Sequence, residues 1–215
     1  MQNNIEEDLK LFNKLANDFL KEEKLKPLSN YIKPEDLYDK IDLALNDHPA
    51  IDHDFKKTLH QLILSTPKSS SKYFFNQLFG GRHSKGVLGD LLAVMLNNSM
   101  STYKIAGPQV GVENEIIKQV NTLIGYPKGC GGTFPTGGSM SNYMALVMGR
   151  DAKDPKFRLE GMSKPMVVYT SELSHYSNDK NVSFAGIGRN NIRYIQADSV
   201  GRMIPAKLEE QIILD

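Results

Sequence analysis

The chain has 215 residues, 40% of them hydrophobic and 24% charged, which allows one sizeable core or one core with an appendage. Lys plus Arg (26) and Asp plus Glu (25) nearly cancel to a net charge of +1, which excludes a global field for nucleic acid or an acidic membrane. The single cysteine, Cys130, excludes an internal disulfide framework and a cysteine-ligated zinc site.

The first residues, Met1 to Asp8, are polar and acidic, without the basic start and apolar stretch of a secretory signal. No apolar run is long enough to span a bilayer, so a cytoplasmic protein is expected. Over residues 5–25, Ile5, Leu9, Phe12, Leu15, Ala16, Phe19 and Leu20 recur at helical spacing, with Pro27 as the stop. Pro34-Glu35-Asp36 reads as a helix start, followed by a stripe of Leu37, Ile41 and Leu45. Asp52 is expected to cap a third helix that turns Phe55, Leu59, Leu62 and Ile63 inward. The polar break Thr66 to Ser71 then suggests a boundary, with residues 1–72 a helical N-terminal segment.

Beyond the break the texture changes. Ser84 can cap a helix carrying Val87, Leu88, Leu91, Leu92, Met95 and Leu96, and Gly107-Pro108 opens another through Ile124. Gly138-Ser139 opens a third, with Tyr143, Ala145, Leu146 and Met148. Short strands are expected at Met166–Thr170 and Ile192–Gln196, and Pro205 starts a last helix. Strands alternating with helices predict an α/β fold with a parallel sheet. Two strands make that sheet unfinished, so residues 73–215 are expected to be the first half of a larger domain whose second half is absent.

Two segments carry the strongest chemical signal. Thr133 to Asn142 is a glycine turn with hydroxyls where an apolar helix begins. A helix start presents unpaired N–H groups and the positive end of the helix dipole, glycines admit an anion closely, and Ser139 adds a hydroxyl. An ordinary tight turn feeding a capped helix explains the same local pattern. Tyr169 to Ser177 is a strand running into His175, at the strand end where open α/β sheets bind ligands. A histidine there can stack on a planar ring or move protons. Asn76 and Gln77, beside the aromatics of Tyr73 to Phe79, can point an amide at a ligand carboxylate, or can simply face solvent. Cys130 has no neighbour that would activate it as a nucleophile.

Phe74 to Leu78, Asn98 to Pro108, Gly138 to Asn142 and Thr170 to Ser177, in this order, resemble the pyridoxal-phosphate-dependent amino-acid decarboxylases of the glutamate decarboxylase group (group II). The likeness covers about two-thirds of the chain, from Tyr73 onward. It implies the large domain of fold-type I, aminotransferase-like pyridoxal enzymes, here incomplete. It implies pyridoxal 5'-phosphate as cofactor, its phosphate held by Gly138 and Ser139 and its ring stacked on His175, which is then also a catalytic candidate. It places Gln77 near the substrate carboxylate and makes the full-length enzyme a homodimer acting on a small amino acid, with no nucleic-acid or membrane partner.

The family's ring-pairing aspartate and covalently bound lysine come later than Asp215, and neither Lys180 nor Lys207 has a matching context. The expected activity is therefore decarboxylation of an acidic amino acid (glutamate, aspartate or cysteine sulfinate) by the full-length form, with this chain alone inactive. The alternatives are another pyridoxal enzyme, an inactive remnant or split-enzyme piece that pairs with another chain, and a plain phosphate-binding module.

Overall fold

The computed structural model describes residues 4–25, 28, 30–44, 47, 51–76 and 78–215. The chain forms two compact units, Met1–Asn98 and Ser99–Asp215.

The first unit is helical. Helix α1, Ile5–Leu25, has the predicted bounds, with Glu6, Glu7 and Asp8 in its first turn and Lys24 in its last, both matched to the helix dipole. It packs against α3, Asp52–Ser65, where His60 lies 3.4 Å from Asp18. Between them, Pro34–Asp36 form a 3₁₀ turn that leads into α2, Leu37–Lys40. This helix is shorter than its apolar stripe predicts. Ile41 leaves it in an extended conformation and is buried, so burial of that one side chain overrides the helical spacing. Pro27 and Leu45 lie outside the described residues. Ile51, not Asp52, occupies the cap of α3, and Phe55 and Leu62 stay partly exposed, at 38% and 42%. Helix α4, Ser84–Leu96, likewise begins with Ser84 instead of being capped by it. It ends at Asn97, whose φ of 47° is a left-handed stop that asparagine tolerates. The polar stretch before α4 is packed at Lys68 and Ser71, both buried, and the Lys68 N–H donates to the Leu28 carbonyl at 2.8 Å.

The second unit is α/β, as expected. A short helix α5, Tyr103–Ala106, precedes α6, which runs Gln109–Ile124 from Pro108. Helix α7, Gly138–Lys153, starts at the predicted glycine turn. After α8, Phe157–Glu160, the chain forms β1, Val168–Ser171, then α9, Ser177–Phe184, β2, Ile192–Ile195, and α10, Pro205–Leu214. β1 and β2 pair in parallel, from Val168 opposite Ile192 to Ser171 opposite Ile195, with α9 in the crossover. Among the described residues the sheet has these two strands. The core lies between them and the helices: Val182, Ala185, Ile187 and Ile192 are buried, with Tyr143, Leu146, Val147, Met166 and Val168 packed against them. Arg150 closes its edge, donating to the Ala185 carbonyl at 2.6 Å with its guanidinium 4.0 Å from the Phe157 ring centre.

Candidate functional site

Helix α7 begins in a turn that glycine alone makes without strain. Gly137 has φ 141°, ψ 165°, and its carbonyl accepts from the N–H groups of Met140 and Ser141 at 3.0 and 3.1 Å. Gly138 and Ser139 are therefore the first two helical residues, and first-turn amides have no acceptor within their own helix. Both are exposed, and a Cβ on Gly138 would meet nothing within 4 Å. The turn thus offers open N–H groups, the dipole's positive end and the Ser139 hydroxyl on one surface.

His175 follows β1 by four residues. The loop that delivers it is held by hydroxyls. Thr170 donates through Oγ1 to Ser174 Oγ at 2.7 Å and accepts from Asn178 Nδ2 at 3.2 Å. The end of β1 is also tied to the end of β2, since the Glu172 N–H donates to the Ile195 carbonyl at 3.0 Å and its carboxylate accepts from the Ala197 N–H at 3.0 Å. The imidazole sits over the start of α9: the Ser177 N–H donates to Nδ1 at 3.2 Å, satisfying a first-turn amide of that helix. Its ring lies 4.3 Å from that of Tyr176, tilted by 33°.

The two predicted places are joined. Ser177, almost fully buried, puts its Oγ 2.8 Å from His175 Nδ1 and accepts from Asn142 Nδ2 at 3.1 Å. Asn142 lies one turn into α7 from Gly138. Gly138, Ser139 and His175 therefore belong to one hydrogen-bonded module. Gln77, the expected substrate contact, lies outside the described residues. Asn142, Ser177 and Asn181 received no role in the sequence reading, although Asn142 and Ser177 stand inside the two matched segments and Asn181 is one helical turn beyond Ser177.

A cavity of about 920 Å³ is not this site. It lies along the far half of α7 and beside β1, lined by residues that include Leu146, Lys153, Met166, Tyr169 and Ile187, and Gly138, Ser139 and His175 are not among them. Size alone does not locate the chemistry, because an anion cradle on a helix end is shallow by construction. Among the described residues there is no cluster of histidine, cysteine, aspartate or glutamate able to hold a metal ion, and no helix long and apolar enough to cross a membrane.

The pyridoxal-dependent decarboxylase conserved domain matches residues 34–215. The chain belongs to that family. It is 35% identical over 184 residues to cysteine sulfinic acid decarboxylase of Mus musculus, and 32% over 182 residues to an acidic amino acid decarboxylase of Xenopus tropicalis. These alignments cover 85% and 84% of this chain but 37% and 35% of the relatives, so the chain spans little more than a third of the curated proteins it matches. The crystal structure of mouse CSAD superposes with a TM-score of 0.93 at 32% identity, over 98% of this chain and 45% of that one. An Oryza sativa TDC crystallised with PLP shares the fold, with a TM-score of 0.80 at 21% identity. The architecture of this member of the decarboxylase family is thus the fold-type I arrangement, represented by part of its domain. Pyridoxal phosphate is the family's cofactor, and the α7 turn has the open amides, the hydroxyl and the dipole that a phosphate dianion requires.

Proposed function

We propose that the whole protein to which this chain contributes decarboxylates an acidic amino acid (cysteine sulfinate, aspartate or glutamate) with pyridoxal phosphate. The α-carboxylate leaves as carbon dioxide, and a proton takes its place on the α-carbon. The observation that carries the reading is the join between the α7 turn and His175 through Asn142 and Ser177, in a chain of this family. The acidic substrate class is supported by the relatives named for cysteine sulfinic acid and for acidic amino acids.

In this reading the Gly138 and Ser139 amides and the Ser139 hydroxyl hold the cofactor phosphate, and the face of His175 stacks on its ring. Bound there, pyridoxal phosphate supplies the electron sink for the pair left by the departing carboxylate. Gln77 lies near the substrate carboxylate. Residues 1–72 form the helical N-terminal segment and 73–215 the first half of the cofactor domain, the covalent lysine and ring-pairing aspartate coming from the second half. The enzyme is a cytoplasmic homodimer, and the 215-residue chain alone is inactive.

Carbon dioxide release by the purified full-length protein, loaded with pyridoxal phosphate, tests this against cysteine sulfinate, aspartate, glutamate and tryptophan. Release from one or more acidic substrates and none from tryptophan is expected. Cofactor binding with no release from any of them would favour an inactive remnant, and release from tryptophan alone would overturn the substrate class.

A further inference from the structure

The hydrogen bonds around His175 have a direction. A backbone N–H always donates, so the Ser177 N–H needs a lone pair on Nδ1, and the ring proton then sits on Nε2. The Asn142 amide nitrogen also only donates, so it occupies the Ser177 oxygen as an acceptor. An unprotonated Nδ1 can only accept, so the Ser177 hydroxyl, 2.8 Å away, donates to it and shares its lone pair with the Ser177 N–H. Asn142 lies on α7, which carries the phosphate turn, and Ser177 on α9, which begins under the imidazole. Ser177 is 1% exposed, so the hydroxyl at the centre of these bonds is buried, while Asn142 and His175 on either side of it are exposed.

We propose that Asn142 and Ser177 are positioning residues: a donor relay from α7 that holds His175 as its Nε2–H tautomer and fixes the ring relative to the phosphate turn. The inference rests on His175 being the ring-stacking residue of the decarboxylase reading. Its physical content is separate from activity. A stacked imidazole that exchanges tautomers or rotates presents a changing face and a changing donor to whatever lies on it. Here both motions require breaking bonds to a buried hydroxyl.

The test uses the full-length protein with ¹⁵N-labelled histidine, first without cofactor, the His175 signals being assigned with His175→Gln. Wild type is expected to show Nδ1 unprotonated and Nε2 protonated. Asn142→Asp is the informative variant because it has the same size but accepts where asparagine donates. It turns the Ser177 hydroxyl toward the new carboxylate and takes it from Nδ1, so the His175 nitrogen shifts move toward a tautomer mixture. Asn142→Ala leaves the hydroxyl free to stay on Nδ1 and changes those shifts less. A merely structural role predicts the reverse order. Ser177→Ala is expected to mix the tautomers and to raise the pyridoxal-phosphate dissociation constant ~2- to 10-fold, the worth of one hydrogen bond, with Ser177→Thr restoring both.

A wild-type proton on Nδ1, or shifts indifferent to Asn142→Asp, would overturn the inference. Should Ser177→Ala fail to fold, the Asn142 pair decides alone, because that side chain lies on an exposed residue. A fixed tautomer in a protein that releases no carbon dioxide would sink the decarboxylase reading and leave the relay standing. Activity with a freely exchanging imidazole would do the opposite.

Discussion

The side-chain amide of Asn181 donates to the backbone carbonyl of Ser139 at 3.0 Å, tying α9 to the first turn of α7 across 42 residues of sequence. Asn181 is 5% exposed. A residue that has no part in the glycine turn therefore helps hold it open toward solvent. Asn181→Ala is expected to weaken pyridoxal-phosphate binding ~2- to 10-fold by loosening that turn, in keeping with the net worth of one hydrogen bond. Fluorescence titration of the cofactor measures this, and an unchanged affinity would remove Asn181 from the site.

Gly137 sets the turn itself. At φ 141° and ψ 165° it occupies backbone space essentially closed to other residues. Gly137→Ala is expected to lose about 1–3 kcal/mol of stability or to shift the turn, and cofactor affinity falls in either case. Thermal unfolding with and without pyridoxal phosphate separates the two, since a shifted turn loses the stabilisation by ligand while a strained one keeps part of it.

At His175, ring and donor can be told apart. His175→Ala is expected to weaken cofactor binding by roughly 0.5–1.5 kcal/mol, the typical worth of an aromatic contact beyond its area. His175→Phe keeps a face for stacking and loses Nε2–H, so it should bind more tightly than the alanine variant while activity stays low. Equal affinities for the two would argue against stacking.

Ile187 is 3% exposed in the cluster beneath the crossover. Ile187→Ala is expected to cost about 2–5 kcal/mol through lost transfer energy and a residual cavity. The midpoint of urea unfolding reads this, and a loss under about 1 kcal/mol would mean that the cluster can collapse around the gap.

Asp198 shapes the turn after β2. It accepts from the Arg202 N–H at 2.9 Å, the Arg202 guanidinium at 2.8 Å and the Val200 N–H at 3.0 Å. Foremost the backbone bond from Arg202, then its side chain, hold this carboxyl below the usual aspartate value. A folded value below the unfolded one gives a contribution that is complete above the unfolded value, about pH 4, and is lost as the pH falls through the lowered one. Urea midpoints across that acid range should fall in wild type, and Asp198→Asn should remove the part due to this group. A variant with the same acid profile as wild type would show that the turn does not sense this proton.

How much of this the sequence revealed depended on where each element's stability comes from. Helix α1 was readable at both ends because its apolar spacing and its terminal charges agree. The start of α7 was readable from the glycine turn, and the two strands from their apolar runs, the first displaced from Met166–Thr170 to Val168–Ser171. Helix α9 was not readable. Its sequence, Ser177 to Phe184, has no apolar period, and polar residues, Ser177 and Asn181, face inward with Val182. Their reason for burial is a set of partners on α7, Asn142 and Ser139, which no local pattern contains. The site shows the same division. Gly138, Ser139 and His175 were visible as chemistry, while Asn142, Ser177 and Asn181, which join them, became visible only once the helices were packed.

The module that joins the glycine turn to His175 is contiguous in the chain. Every bond described between α7, α9 and the two strands falls between Gly137 and Ala197, and the widest separation it bridges is the 42 residues from Ser139 to Asn181. Closing a loop of that size costs only slightly more than closing a shorter one, because the entropy grows with the logarithm of length. During synthesis the cradle is therefore expected to be able to form once Ala197 has emerged, with no waiting for distant sequence. In pulse-labelled refolding, amides of α7, α9 and β2 should gain protection together, as one early unit on which later chain assembles.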